Sequence, residues 1–83
     1  MDEQKILELG FYSEELLNDQ RFNELVQYLV EDLSKAMLAS ESPEEREGYH
    51  GAYIGLRTIL ETMRQFVLNK DMQKDQADAE QKD

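Results

Sequence analysis

The sequence predicts an all-α protein: an antiparallel helical hairpin over residues 19–69, a short N-terminal helical segment over 1–18, and association of the whole into a helical bundle. Three observations predict it. Apolar residues recur at helical spacing between Ile6 and Leu68. One Pro and four Gly leave few breaks in 83 residues. Midway along the chain, Ser42-Pro43-Glu44-Glu45 is a strong helix-start signal.

In chain order, Ile6, Leu7 and Leu9 followed by Gly10 read as a short helix with a Gly C-cap, and Ser13 before Glu14-Glu15 starts a further turn carrying Leu16 and Leu17. With Phe11 and Tyr12, these apolar groups are expected to fold against one end of the hairpin. Asn18 or Asp19 caps a second helix whose stripe is Phe22, Leu25, Val26, Leu29, Val30, Leu33, Ala36 and Met37, running to about Ala39. The connection Ser40-Glu41-Ser42 is so short that two long amphipathic helices must double back across it. Ser42 then serves as N-cap, Pro43 occupies the first helical position, where its missing N–H is not needed, and Glu45 completes a capping box. Tyr49, Ala52, Tyr53, Leu56, Ile59, Leu60, Met63, Phe66 and Val67 form one apolar stripe about 140° wide, which predicts a core-facing helix to about Asn69. Residues 1–69 thus read as one helical domain. From Lys70 onward Met72 is the one large apolar residue, so 70–83 is expected to be a frayed or disordered acidic tail.

Composition narrows the function. Nineteen acidic residues against nine Lys plus Arg give a net charge of -10, which argues against direct nucleic acid binding through phosphates. Without Cys there is no disulfide framework and no thiolate zinc site. No apolar run is long enough for a membrane span, and the N-terminus lacks the pattern of a secretion signal, so a cytoplasmic protein is expected. One His, no Cys and no convincing nucleophile–base pair make enzymatic function a poor reading, with no catalytic residue and no cofactor to propose.

The remaining candidates are surfaces. Gly48, Gly51 and Gly55 lie at the edge of the apolar stripe, with Thr58 and Thr62 continuing the row. Each helical Gly costs about 0.8–1 kcal/mol relative to Ala, so close packing is expected along the row, against the first hairpin helix, the N-terminal segment or a second copy. On the far face Arg46, His50, Arg57 and Arg64 line up within about 40°, with exposed Ile54 and Leu68 nearby, as in a partner-binding or self-association face. The competing explanation is intrahelical pairing of Arg57 and Arg64 with Glu61. Gly48, Gly51, Gly55, Ile54, Arg57, Arg64 and Leu68 are therefore the candidate interface. Glu47 and His50 have the Glu-x-x-His spacing of carboxylate-bridged di-iron bundles, with Glu24 or Glu31 as a further donor, but they point away from the apolar stripe, and no metal ligand is assigned.

Glu14-Glu15-Leu16-Leu17-Asn18-Asp19 with Phe22, then a long helix, then Ser42-Pro43-Glu44-Glu45-Arg46-Glu47, a second amphipathic helix and a polar tail, resembles short acidic proteins encoded by tailed bacteriophages, over residues 14–69. That resemblance implies a virion-associated or host-directed accessory factor without catalysis, located in the host cytoplasm or the virion, and carries over no site residues. The expected function is protein–protein interaction or assembly through helix faces, by a homo-oligomer with a further protein partner. The alternatives are an acidic inhibitor mimicking nucleic acid and, third, a di-iron helical bundle.

Overall fold

The computed structural model describes residues 2–81, which form three α-helices and no strand: α1 (Glu3–Leu17), α2 (Gln20–Ala39) and α3 (Pro43–Gln81). Each start carries a side-chain cap. Asp2 accepts from the Lys5 backbone N–H at 2.7 Å, Asp19 from Phe22 at 2.9 Å and Ser42 from Glu45 at 3.2 Å. The Glu45 carboxylate reaches back to the Glu41 N–H at 3.4 Å, closing the α3 cap from the other side. Of the two candidates for capping α2, Asp19 does so, while Asn18 ends α1. The Asn23 side chain donates to the Leu17 carbonyl at 2.9 Å and ties the two helices across that short break.

The N-terminal expectation is corrected at Gly10. The residue does not end a helix: no Gly among the described residues has positive φ, and α1 runs through it unbroken. It sits instead where α1 meets α3, and a Cβ at this position would lie 2.9 Å from both the Lys70 Cγ and the Phe66 carbonyl oxygen. Ser13, expected to begin a new turn, is mid-helix and only 5% exposed on the same face. Glycine and serine at this spacing let the two backbones approach.

The helical end near Asn69 moves too. α3 continues to Gln81, and Lys70 is 2% exposed, the most buried side chain described. The physical reason is α1: Ile6 shares a groove with Asn69, Met72, Gln73 and Gln76, and Leu17 shares one with Arg64, Val67 and Leu68. The sequence beyond Asn69 lacks a stripe of its own but is held by a neighbour.

Along α3 the order of contacts reverses the order of the chain. Met37 shares a groove with Pro43, Arg46, Glu47 and His50, Val30 one with Tyr53, Leu56 and Leu60, and α1 takes the remainder. α1 and α2 both lie on α3 and touch each other little. The molecule measures 64 × 25 × 15 Å, the length set by α3 at about 1.5 Å per residue.

With two helices side by side at each level, no helix is enclosed. Among the described residues no hydrophobic side chain is fully buried. Phe22, Leu56 and Met63 are half-buried as the stripes require, but Leu29 is 40% exposed and Ile59 58%, so part of each expected core face looks outward.

Candidate functional site

The seam between α2 and α3 divides the surface into two edges, and the expected interface residues are split between them. Arg57 and Arg64 line one groove with Val30, Tyr53, Leu56 and Leu60, while Arg46 and His50 line another with Met37. The basic ridge, expected on the far face of α3, therefore borders the seam with α2. It lies there because Tyr53 and Leu60, about 20–60° round the helix from Arg57 and Arg64, are the residues that meet α2. Ile54 lines neither groove and is exposed.

Arg57 pairs with Glu61 at 3.2 Å, as intrahelical spacing allows, with both side chains mostly in solvent. Such a pair is worth about 0–1 kcal/mol. Arg46, His50 and Arg64 have no ion pair among the described residues. Arg64 also borders a groove of ≈ 420 Å³ with Glu14, Leu17, Asn18, Val67 and Leu68, where α1 stops short of α2. Its floor is aliphatic, Leu68 is exposed, and one cation and one carboxylate stand at its rim. This arrangement can hold an apolar side chain next to a charged or amide group, but it contains no nucleophile beside a base.

The other edge carries Gly48, Gly51 and Gly55. Of the three neighbours expected on them, the two from the same chain do not pack there: a Cβ at any of the three would meet nothing within 4 Å. Neither α1 nor α2 covers that row.

A third cluster was missed by sequence reasoning. The Lys70 ammonium pairs with the Glu14 carboxylate, lies 3.4 Å from Asp71 and stands 4.7 Å from the centre of the Phe11 ring, and Lys74 approaches the same ring at 4.6 Å. The signal was present, because Lys70 is the next member of the Tyr49/Leu56/Met63 column, seven residues on. These groups fix α1 against α3; the ammonium is enclosed and donates to Glu14.

Glu47 and His50 share the Met37 groove, and among the described residues no three His, Asp or Glu groups converge as a metal site requires. No helix among the described residues is long and apolar enough to cross a membrane. Comparison with protein-family models, curated proteins and solved structures finds no match for this chain.

Proposed function

We propose that this chain is a non-enzymatic interaction or assembly protein, an antiparallel helical hairpin braced by α1 that self-associates and engages a protein partner through its helix faces. One observation carries the reading: among the described residues no apolar side chain is fully buried, while Phe11, Leu25, Tyr28, Leu38, Ile59 and Leu68 among others are exposed. Apolar surface left in water on this scale asks for cover by protein. The size supports the same conclusion. The accessible surface is 6599 Å², against about 5,100 Å² for a compact chain of this mass.

The basic edge suits the partner. Arg46, Arg57 and Arg64 concentrate positive charge beside half-buried apolar residues on a protein of net charge -10, so an acidic amphipathic segment is the complementary surface. The resemblance of residues 14–69 to short acidic phage proteins supports a virion-associated or host-directed accessory role.

Affinity capture with the tagged chain from its native host tests this. A specific protein is expected, with recovery reduced several-fold for Arg57→Glu/Arg64→Glu. Recovery of no protein, or capture indifferent to that charge reversal, counts against the basic edge. The -10 charge favours the second reading, a nucleic-acid mimic, whose signature is a captured DNA-binding protein released by competing duplex.

A further inference from the structure

The edge opposite the arginines has a property that the rest of the surface lacks. At about 100° per residue, Gly48, Gly51, Ala52, Gly55 and Ile59 lie roughly 120–180° round α3 from Arg57 and Arg64. Thr58 and Thr62 continue the row. No residue at these seven positions is charged, in a chain of which one-third is Asp, Glu, Lys or Arg. On α2, Leu25 and Leu29 are turned about 100–140° from Val30, the residue that lines the arginine groove, and so border the seam on its other side. Val30 lies opposite Tyr53 to Leu60, which sets Leu25 and Leu29 level with Gly55 to Thr62. Leu25 is 56% exposed and Ile59 58%. Two helices thus present one continuous edge of exposed aliphatic side chains beside a strip with almost no relief.

We propose that a second copy of this chain docks on that edge, with Leu25, Leu29 and Ile59 as the apolar anchors and Gly51 and Gly55 as the strip that the partner helix approaches. The inference deepens the self-association part of the proposed function and rests on it. Three observations select a second copy over other occupants. A chain of net charge -10 repels its own kind, so copies meet most closely where carboxylates are fewest: the row carries none between Gly48 and Thr62, with Glu44 one turn before it and Asp32 about 20° from Leu25 at its margins. The surface in excess of a compact chain, about 1,500 Å² over the whole molecule, leaves room for the roughly 800 Å² per partner that a standard interface covers. Open space at Gly48, Gly51 and Gly55 shows that the strip is not used within the chain. Without Cβ atoms a facing helix can come closer than the usual 8–10 Å between axes.

Because Gly51 and Gly55 face open space, larger side chains fit there in the single chain. Gly51→Leu should therefore fold at least as well, and circular dichroism checks that it does. Light scattering with size separation and sedimentation equilibrium on the full chain then read association. At about 500 mM salt, where repulsion between whole chains is screened, the wild type is expected to have the mass of two chains or a multiple, with Gly51→Leu and Ile59→Glu each raising the dissociation constant roughly tenfold or more and Arg57→Glu/Arg64→Glu leaving it unchanged. The chain has no Cys, so introduced ones report proximity: Gly55→Cys should cross-link between copies on oxidation and Arg57→Cys should not. A wild-type oligomer that survives Gly51→Leu and Ile59→Glu, or that falls apart on reversal of the arginines, overturns this edge while leaving self-association standing. A wild type of single-chain mass at the highest attainable concentration overturns both, and partner capture then decides the interaction reading alone.

Discussion

At the residue scale, glycines in two helices of this protein have opposite effects on stability. Gly10 faces the Lys70 side chain and the Phe66 carbonyl, so Gly10→Ala drives a methyl group into backbone. It should destabilise by about 1–3 kcal/mol in spite of the better helix propensity of Ala. Gly51 faces open space, and Gly51→Ala should stabilise the single chain by about 0.8–1 kcal/mol. Urea melts of the two variants at high dilution check the contrast; equal signs would show that the close approach of α1 and α3 is misplaced. Lys70 calls for a matched pair of variants as well. Glu14→Gln removes a carboxylate from an ammonium that is almost fully enclosed and should cost about 1–3 kcal/mol, with Asp71 as the remaining acidic contact. Lys70→Met removes the enclosed charge itself, keeps most of the volume and frees Glu14 to solvent, and should be close to neutral in the same melts.

At the element scale, helices are only as stable as what they lean on. The Ser42 cap begins α3, and Ser42→Ala should cost about 1 kcal/mol, read as a lower melting temperature by circular dichroism. The portion of α3 beyond Asn69 depends on α1. Deleting residues 2–17 should leave amides 70–76 exchanging at nearly the rate of an unstructured peptide while those around Leu56 and Leu60 stay protected, as hydrogen exchange with mass detection can resolve. The same dependence explains what could be read from the sequence. The α2 bounds, the link at 40–42 and the start of α3 are local events, set by Asp19, Ser42, Pro43 and the 3.6-residue period, and all three were legible. The end of α3 and the continuity of α1 were not, because both are decided by a contact between residues 56 positions apart, Glu14 and Lys70. Lys70 opens a polar stretch, and although it continues the Tyr49/Leu56/Met63 column, only the contact with α1 decides that its stem completes the stripe. Of the candidate surface, the residue types and their helical spacing can be read from the sequence, but the placement of the arginines beside the α2 seam cannot, since that requires knowing which side of α3 receives α2.

At the scale of the whole molecule, shape and charge act together. The radius of gyration is 17.7 Å, where a compact chain of 83 residues has about 12 Å, so nearly every side chain lies near the surface and the acidic excess is spread along a rod. Two such rods repel through solvent. Self-association along the uncharged strip should therefore tighten severalfold as salt rises from about 50 to 500 mM, because screening removes repulsion while the apolar contact stays. Binding of an acidic partner to the arginine edge should weaken over the same range. Sedimentation and partner titration at both salt concentrations distinguish the two faces by the sign of the response.

The sparse contact between α1 and α2 has a further consequence. Each is bound to α3 separately, and the buried residues described, Gly10, Ser13 and Lys70, all lie between α1 and α3, so α2 is the helix held with less burial. A competing amphipathic peptide that seats on Tyr53 and Leu60 then has to displace only α2, not unfold the whole protein, which makes the N-terminal half of α3 the place where exchange of one helix for another costs least.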